Sequence, residues 1–265
     1  MSGSASNMTK DAGATRAPAL ATRGLNKSFG SLAVARDIAL DLPVGGRYAL
    51  IGPNGAGKTT LINLITGMLK PDAGEIVLGG EDITALEPQD RVRKGLARTF
   101  QINTLFPGLN AIEAVTLAVC ERRGITNQFW RNIAEHREAI EEAHGILVKL
   151  RLGDACYQPT RELPYGRQRL LEIALALATR PKVLLLDEPA AGVPHEESGE
   201  IFEAVAGLSD RLTLLFIEHD MHVVFRFASH IIVLVGGAIY TEGTPAEIAA
   251  DPGVREVYLG KRHHG

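Results

Sequence analysis

Residues 52–59 read Gly-Pro-Asn-Gly-Ala-Gly-Lys-Thr, and they directly follow an apolar run, Tyr-Ala-Leu-Ile, at residues 48–51. The eight residues match the pattern G-x-x-x-x-G-K-[ST], placed between a predicted strand and a predicted helix. Glycines let such a loop wrap closely around an anion, because a side chain there would block the approach or forbid the required φ. The loop N–H groups and the positive end of the following helix then attract phosphate. The stretch therefore predicts a P-loop that binds a nucleoside triphosphate.

Two side chains of this loop have separate predicted roles. The ammonium group of Lys58 is expected to reach the β- and γ-phosphates, and the hydroxyl of Thr59 is expected to ligate Mg²⁺. The alternative is a chance glycine turn, but the segment that follows carries apolar residues on one helical face, at Leu61, Leu64, Ile65 and Met68. The predicted nucleotide contacts of this region are Asn54, Gly55, Ala56, Gly57, Lys58, Thr59 and Thr60.

The composition suits one large α/β domain or two closely packed lobes, since the chain has 265 residues, 45% hydrophobic and 22% charged. A net charge of −3 and the lack of a Lys/Arg block predict no nucleic-acid partner. No apolar run reaches the roughly 18 residues of a membrane-spanning helix. Residues 1–18 are rich in Ser, Ala, Gly and Thr, which predicts a disordered tail and not a signal peptide. Cys120 and Cys156 are predicted to be buried thiols in a reducing cytoplasm.

A second motif ends an apolar strand with two acids, Val183 to Leu186 followed by Asp187 and Glu188. Ligands gather at the carboxyl ends of strands in a parallel sheet. Asp187 is therefore predicted to hold Mg²⁺ beside Thr59. Glu188 is predicted to accept a proton from the water that attacks the γ-phosphate. The alternative is a pair of solvated acids at a strand end.

Three further residues have two interpretations each from the sequence alone. His219 ends the next apolar strand and either orients the attacking water or is structural. Gln101 either touches Mg²⁺ or the water, or is a polar loop residue. Phe29 either stacks on a base or packs in the core.

The composition of the chain changes between Pro107 and Thr179. The abundance of Ala, Glu, Leu and Arg in this segment predicts helices inserted into the strand-rich core. Near the end of this insert, Pro164 and Gly166 predict a turn before a buried helix that stops before Pro181. Arg167 and Arg169 fall in the first turn of that helix, where the dipole disfavours cations. Either they lie on a solvated surface, where the cost is small, or an anion comes to that helix end. Near the carboxyl terminus, a hairpin across residues 236–237 and a capping box at 244–247 are predicted.

Together these motifs resemble those of ABC-transporter ATP-binding subunits, and the resemblance extends from about Leu20 to Gly260. In that family's order, the matching segments are the A-loop aromatic Phe29, Walker A at 52–59, the Q-loop Gln101, the signature at 163–167, Walker B at 183–188, the D-loop at 190–193 and the switch histidine His219. The subfamily that it resembles most is that of branched-chain amino-acid uptake. The resemblance implies a P-loop NTPase core with an N-terminal antiparallel β subdomain and a helical signature subdomain at about 103–180. The implied ABC ATPase domain covers residues 19–260, with short tails at 1–18 and 261–265.

The resemblance also implies a function and partners. The chain is expected to be a peripheral ATPase on the cytoplasmic face of the plasma membrane, using ATP and Mg²⁺ to power an importer. Expected partners are a second ATPase subunit, identical or related, whose ATP would contact Tyr165, Gly166 and Arg167, together with membrane permease subunits and a substrate-binding protein. Catalytic roles are implied for Glu188, His219 and Gln101, and metal contacts for Thr59, Gln101 and Asp187.

Some residues depart from the family pattern. Pro164 replaces the signature Ser, Arg167 replaces its Gln, and the D-loop, Ala190 to Pro194, lacks its Asp. The segment Leu105 to Pro107 is predicted either to dock onto the membrane partner or to fill the core of the helical insert. Rival functions are the ATPase of a lipid or polysaccharide exporter and a soluble P-loop ATPase unconnected with transport. Another rival, a GTPase, lacks support because no Asn-Lys-x-Asp base reader follows the P-loop.

Overall fold

A computed structural model describes residues 17–99, 106, 108–125 and 136–259. Its larger sheet has six strands in the order β10-β9-β3-β8-β7-β6. The strands are β3 (Arg47–Ile51), β6 (Leu96–Arg98), β7 (Val183–Asp187), β8 (Thr213–Ile217), β9 (His230–Val235) and β10 (Ala238–Gly243). All pairs are parallel except β9–β10, which is the predicted hairpin. Every residue of β7 and β8 is buried, which explains their continuous apolar sequences.

The smaller sheet is antiparallel and has the order β2-β1-β4-β5. Its strands are β1 (Leu20–Phe29), β2 (Leu32–Leu42), β4 (Ala73–Leu78) and β5 (Glu81–Asp82). Helix α1 (Lys58–Thr66) joins the two sheets, because Leu61, Leu64 and Ile65 lie in one apolar cluster with β1, β2 and β4 and with one face of the larger sheet. The α/β core with an N-terminal antiparallel subdomain is therefore confirmed.

The opposite face of the larger sheet is covered by helices. The buried side chains between this face and the helices form a second apolar cluster. Ala49 and Ile51 lie in this second cluster, whereas Leu50 lies in the cluster around α1, as expected for alternating side chains on a strand. The helices of the predicted insert are α3 (Ala111–Arg122), α4 (Arg137–Lys149) and α5 (Tyr165–Ala178). Those outside it are α2 (Pro88–Lys94), α6 (His195–Ala206), α7 (Met221–Phe227), α8 (Pro245–Ala250) and α9 (Pro252–Leu259). Among the residues described, none of these helices is long and apolar enough to cross a bilayer.

Two local predictions can be compared directly with the helix ends. Thr244 and Glu247 form the predicted capping box before α8, with Pro245 at its first position. Gly166, by contrast, was predicted in a turn but lies inside the first turn of α5, which starts directly after Pro164. The difference arises because the first turn of a helix needs no intrahelical N–H partners, so proline and glycine are both tolerated there. The predicted burial of Cys120 and Cys156 as free thiols is confirmed.

Candidate functional site

The glycine loop leaves the carboxyl end of β3 and enters α1 at Lys58. Gly57 precedes the helix with φ 103°, and a Cβ there would lie 2.6 Å from the carbonyl oxygen of Val34. Both the backbone angle and the close approach of β2 therefore require glycine at this position. Asn54, Gly55 and Thr59 are exposed along the loop, whereas the side chain of Ala56 is buried, so Ala56 can offer only backbone groups to a ligand.

Lys58 closes this loop. Its ammonium group is buried and donates to the carbonyl oxygens of Gly52, at 2.7 Å, and Pro53, at 3.1 Å. Burial lowers the pKa of Lys58, and the nearby carboxylates of Glu188 and Asp187 act against that shift. The lysine thus lies within the electrostatic reach of both acids of the second motif, and its contacts with the β- and γ-phosphates stay a prediction.

Asp187 ends β7 at the carboxyl edge of the sheet, where β8 runs alongside in parallel register, and Glu188 directly follows it. Asp187 is buried and accepts a hydrogen bond from Arg98, with Nη2 and Oδ2 2.6 Å apart. Glu188 has φ 49°, in the left-handed region that non-glycine residues rarely adopt. Such strain concentrates at functional sites and costs of order 1–3 kcal/mol. Asp187 and Glu188 are therefore not two freely solvated acids.

The side chain of Glu188 contacts a residue just beyond the end of the next strand. Its Oε1 lies 2.9 Å from Nε2 of His219, and its N–H donates to the carbonyl oxygen of Ile217 at 3.1 Å. The side chain of His219 is 53% exposed and that of Glu188 is 28% exposed, so water can reach the pair. A carboxylate and an imidazole in contact at a solvent-accessible edge can exchange and orient protons.

One residue of this edge was missed by the sequence analysis. Glu218 is buried, and its carboxylate accepts N–H bonds from Ala190, at 3.1 Å, and His219, at 3.3 Å. It thereby connects the turn after Glu188 with the histidine, and burial raises its pKa. Its position in the sequence could have indicated a role, because an acid next to a fully buried strand must find hydrogen-bond donors or stay protonated.

The signature segment begins α5. Tyr165 is 36% exposed and Gly166 is buried. The guanidinium of Arg167 donates to Asp154 at 3.0 Å, in an ion pair whose partners are 37% and 65% exposed. Exposed pairs contribute little stability, so Arg167 can exchange Asp154 for another anion at small cost.

Arg169 differs from the prediction. It is buried along α5, where it donates to Glu172 Oε2 at 2.8 Å and to the hydroxyl oxygen of Tyr165 at 2.6 Å. The prediction that Arg169 faces an anion at the helix end is therefore wrong. The helical spacing of three and four residues places both partners on its own face of the helix.

Two predicted site residues lie at or beyond the edge of the described site. Phe29 ends β1 and is 54% exposed, with Lys27 Nζ 5.9 Å from its ring centroid, so the core-packing alternative is wrong and the base-stacking role stays a prediction. Gln101 lies outside the described residues, so its predicted contacts with Mg²⁺ and water stay predictions.

The donor set fits Mg²⁺ that arrives with a nucleotide. Within the described ranges, no group of three or more His, Cys, Asp or Glu residues could hold a metal ion alone. Mg²⁺ keeps several waters and typically takes one or two protein oxygens together with substrate phosphates. The exposed hydroxyl of Thr59 and the carboxylate of Asp187 are ligands of that kind.

Comparisons with known protein families agree with this geometry. The model described as "ABC transporter" matches residues 35–191. A second model, described as "branched-chain amino acid ATP-binding cassette transporter", matches residues 241–264.

Individual relatives extend over nearly the whole chain. The high-affinity branched-chain amino acid transport ATP-binding protein BraF of Pseudomonas aeruginosa is 38% identical over 253 residues, covering 92% of this chain and 98% of that protein. LivG of Escherichia coli, with the same description, is 37% identical over 251 residues, covering 92% and 98%.

Among solved structures, the ADP conformation of an ATP-binding cassette of an ABC transporter superposes with a TM-score of 0.80. It has 33% identity and covers 91% of this chain and 98% of that one. The nucleotide loop, the two acids and the histidine thus occur in a chain that matches cassette proteins over nearly its full length. This chain belongs to the ABC transporter family, as one of its ATP-binding cassettes, the ATPases that drive these transporters.

Proposed function

We propose that this cassette powers the uptake of branched-chain amino acids, or of a related small polar solute, through a separate membrane permease. The observation that carries the ATPase part is the 2.9 Å contact between Glu188 and His219 beside the P-loop. The substrate class rests on the match at residues 241–264 and on relatives that are described as branched-chain amino acid transport proteins. These similarities favour the ATPase of an importer over the ATPase of an exporter and over a soluble ATPase.

The chemistry follows from the positions of the side chains. The loop N–H groups and Lys58 bind the phosphates, and the ammonium group exchanges its carbonyl partners for phosphate oxygens. Glu188 accepts a proton from the attacking water, and His219 holds that carboxylate and the water in line. Bound Mg²⁺, held by Thr59 and Asp187, would neutralise charge on the phosphates.

A second cassette is part of this proposal. Tyr165, Gly166 and Arg167 begin α5, and their predicted ligand is the ATP bound by another subunit, either a second copy of this chain or a related cassette. Support comes from the exposure of Tyr165 and from the weakly held Arg167, since both can reach a phosphate that arrives from outside the chain.

The permease is proposed to dock where the helical insert meets the core. A groove of about 260 Å³ lies there between α1, α2, β6 and α5. It is lined by apolar side chains, among them Met68, Val92 and Leu175, and its wall also contains Arg98, which contacts Asp187. Phe106, at the start of the insert, is 63% exposed, which contradicts a core role for this residue and supports docking, whereas Leu105 and Pro107 lie outside the described residues. Through this contact with the permease, the cassette would associate with the cytoplasmic face of the membrane. A substrate-binding protein would deliver the solute to the permease.

The test is reconstitution of the cassette with the permease subunits that co-purify with it. In vesicles that contain ATP, we expect uptake of leucine, isoleucine or valine, abolished by Glu188→Gln. A cassette that hydrolyses ATP but co-purifies with no integral membrane protein would contradict the transport proposal. Export of a lipid from the same vesicles would contradict the importer assignment.

A further inference from the structure

Arg98 ends β6 and connects two parts of the nucleotide site. Its Nη1 donates to Asn63 Oδ1 on α1 at 2.7 Å, and its Nη2 donates to Asp187 Oδ2 on β7 at 2.6 Å. The side chains of Arg98 and Asp187 are only 12% and 4% exposed. A guanidinium with two anchors on different elements is fixed in direction, because its planar fork allows few orientations that satisfy both.

The same carboxylate is the proposed protein ligand for Mg²⁺. A carboxylate that is neutralised by a guanidinium at 2.6 Å attracts a dication less than a free carboxylate does. The cations Lys58 and Arg98 lie near the acids Asp187 and Glu188 at this edge. Loss of the guanidinium would leave Asp187 as a buried charge with only Lys58 nearby to compensate it, and a bound cation would relieve part of that cost.

We propose that Arg98 is a positioning residue that sets the affinity of the site for Mg²⁺, by neutralising and aligning Asp187 until the metal arrives with its nucleotide. The inference rests on the proposed metal role of Asp187. In the wild-type protein Arg98 competes with Mg²⁺ for the carboxylate of Asp187. The affinity of the site for Mg²⁺ is therefore lower than Asp187 and Glu188 would give without Arg98.

The experiment measures the affinity for a non-hydrolysable ATP analogue in the presence of Mg²⁺ and in the presence of EDTA, for the full chain. The ratio of the two affinities reports how much the metal contributes and needs no turnover. For Arg98→Met we expect the ratio to rise about tenfold, since an opposite charge a few ångströms away changes such equilibria by this order. A ratio that is unchanged or lower than wild type would overturn the proposal.

A second variant, Arg98→Lys, tests the proposal even if Arg98→Met does not fold. Arg98→Lys keeps a buried cation but has no fork that reaches both Asn63 and Asp187, so we expect its ratio to rise by about threefold. A ratio at or below the wild-type value in this folded variant would equally overturn the proposal. Electron paramagnetic resonance of Mn²⁺ bound with the analogue gives a direct second readout, with tighter Mn²⁺ binding expected in both variants. A wild-type protein that binds no analogue under either condition would instead contradict the proposed function itself.

Discussion

Glu188 and His219 lie just beyond the ends of the neighbouring parallel strands β7 and β8, and their side chains meet at the carboxyl edge, with Oε1 and Nε2 2.9 Å apart. Glu188 makes this contact from a left-handed backbone, which non-glycine residues rarely adopt. Glu218, adjacent to the histidine in sequence, fixes both sides of the contact through its bonds to Ala190 and His219. An acid held in this way next to the P-loop is suited to accept the proton of an attacking water.

Glu188→Gln is expected to bind ATP normally and to hydrolyse it about 10²-fold more slowly or worse, because the amide keeps the shape but cannot accept the proton. Nucleotide affinity and steady-state phosphate release measure the two effects separately. Glu200→Gln, an exposed change on α6, serves as the matched control and is expected to retain full activity. Near-normal turnover by Glu188→Gln would remove this residue from the base role.

Lys58→Ala is expected to weaken nucleotide binding itself, because it deletes the cation that faces the phosphates. The variant also loses the two bonds by which the ammonium closes the loop on Gly52 and Pro53. Equilibrium binding of a fluorescent ATP analogue measures the effect, with Lys70→Ala as control, since the side chain of Lys70 is 77% exposed. Unchanged affinity in Lys58→Ala would reject the assignment.

Phe106→Ala is expected to abolish coupling to the permease while leaving basal ATPase activity and melting temperature intact. The reason is that its side chain is 63% exposed and contributes little to the core. Transport by the reconstituted complex and thermal melting of the isolated cassette are the measurements. Val148→Ala, at an exposed apolar position on α4, is the control. A drop in stability of the ~3–5 kcal/mol typical of a buried phenylalanine would contradict the surface role.

Pro164→Ser is expected to tighten ATP-driven dimerisation by about tenfold, since a hydrogen bond to a charged group contributes roughly 1.5–3 kcal/mol. Proline at the N-cap of α5 offers neither a hydroxyl nor an N–H to a phosphate. The measurement uses the Glu188→Gln background, so that bound ATP persists. Pro164→Ala is the matched control, because it restores the N–H without the hydroxyl. Equal dimerisation of the Ser and Ala variants would show that the hydroxyl adds no phosphate contact.

The acid stability of the helical insert is expected to depend on Glu142. Hydrogen bonds from Arg122, Arg123 and Arg180 lower the pKa of Glu142 to about 2 from the usual 4.5. A lowered pKa adds stability that is complete above about pH 4.5 and is lost as the pH falls toward 2. The shift corresponds to at most about 3 kcal/mol, which solvent screening at the exposed Arg180 reduces to about 1–2 kcal/mol.

Melting of the wild type and of Glu142→Gln between pH 7 and pH 3 tests this prediction. The gap between the two melting temperatures should narrow steadily below about pH 5, because the wild type then loses the advantage of its carboxylate. The gap between the melting temperatures of the wild type and of the control Glu200→Gln should not narrow in this way. A gap that stays constant to pH 3 would mean that the three arginines do not stabilise the charged form.

The parts of the site that are local in the chain can be predicted from the amino-acid sequence alone. A P-loop is a strand, a turn and a helix in direct succession, so residues 48–66 contain nearly all the information that shapes it. The same holds for the acids at the end of β7 and for the capping box before α8, because each depends on neighbours within a few residues. The α/β core followed from apolar runs that only a sheet buried on both faces accommodates.

Contacts between side chains on different elements depend on how distant segments pack and could not be predicted from the sequence. Arg98 and Asp187 are 89 residues apart, and their contact exists because β6 and β7 pair in a register that sets Arg98 opposite Leu185. The burial of Arg169 and Glu172 likewise depends on how α5 packs against the rest of the chain, and the bond from Ala190 to Glu218 joins the segments that follow β7 and β8. A charged residue has the same sequence signature on a surface and in a buried pair, because its partner and its loss of solvent are set by the packing of distant segments.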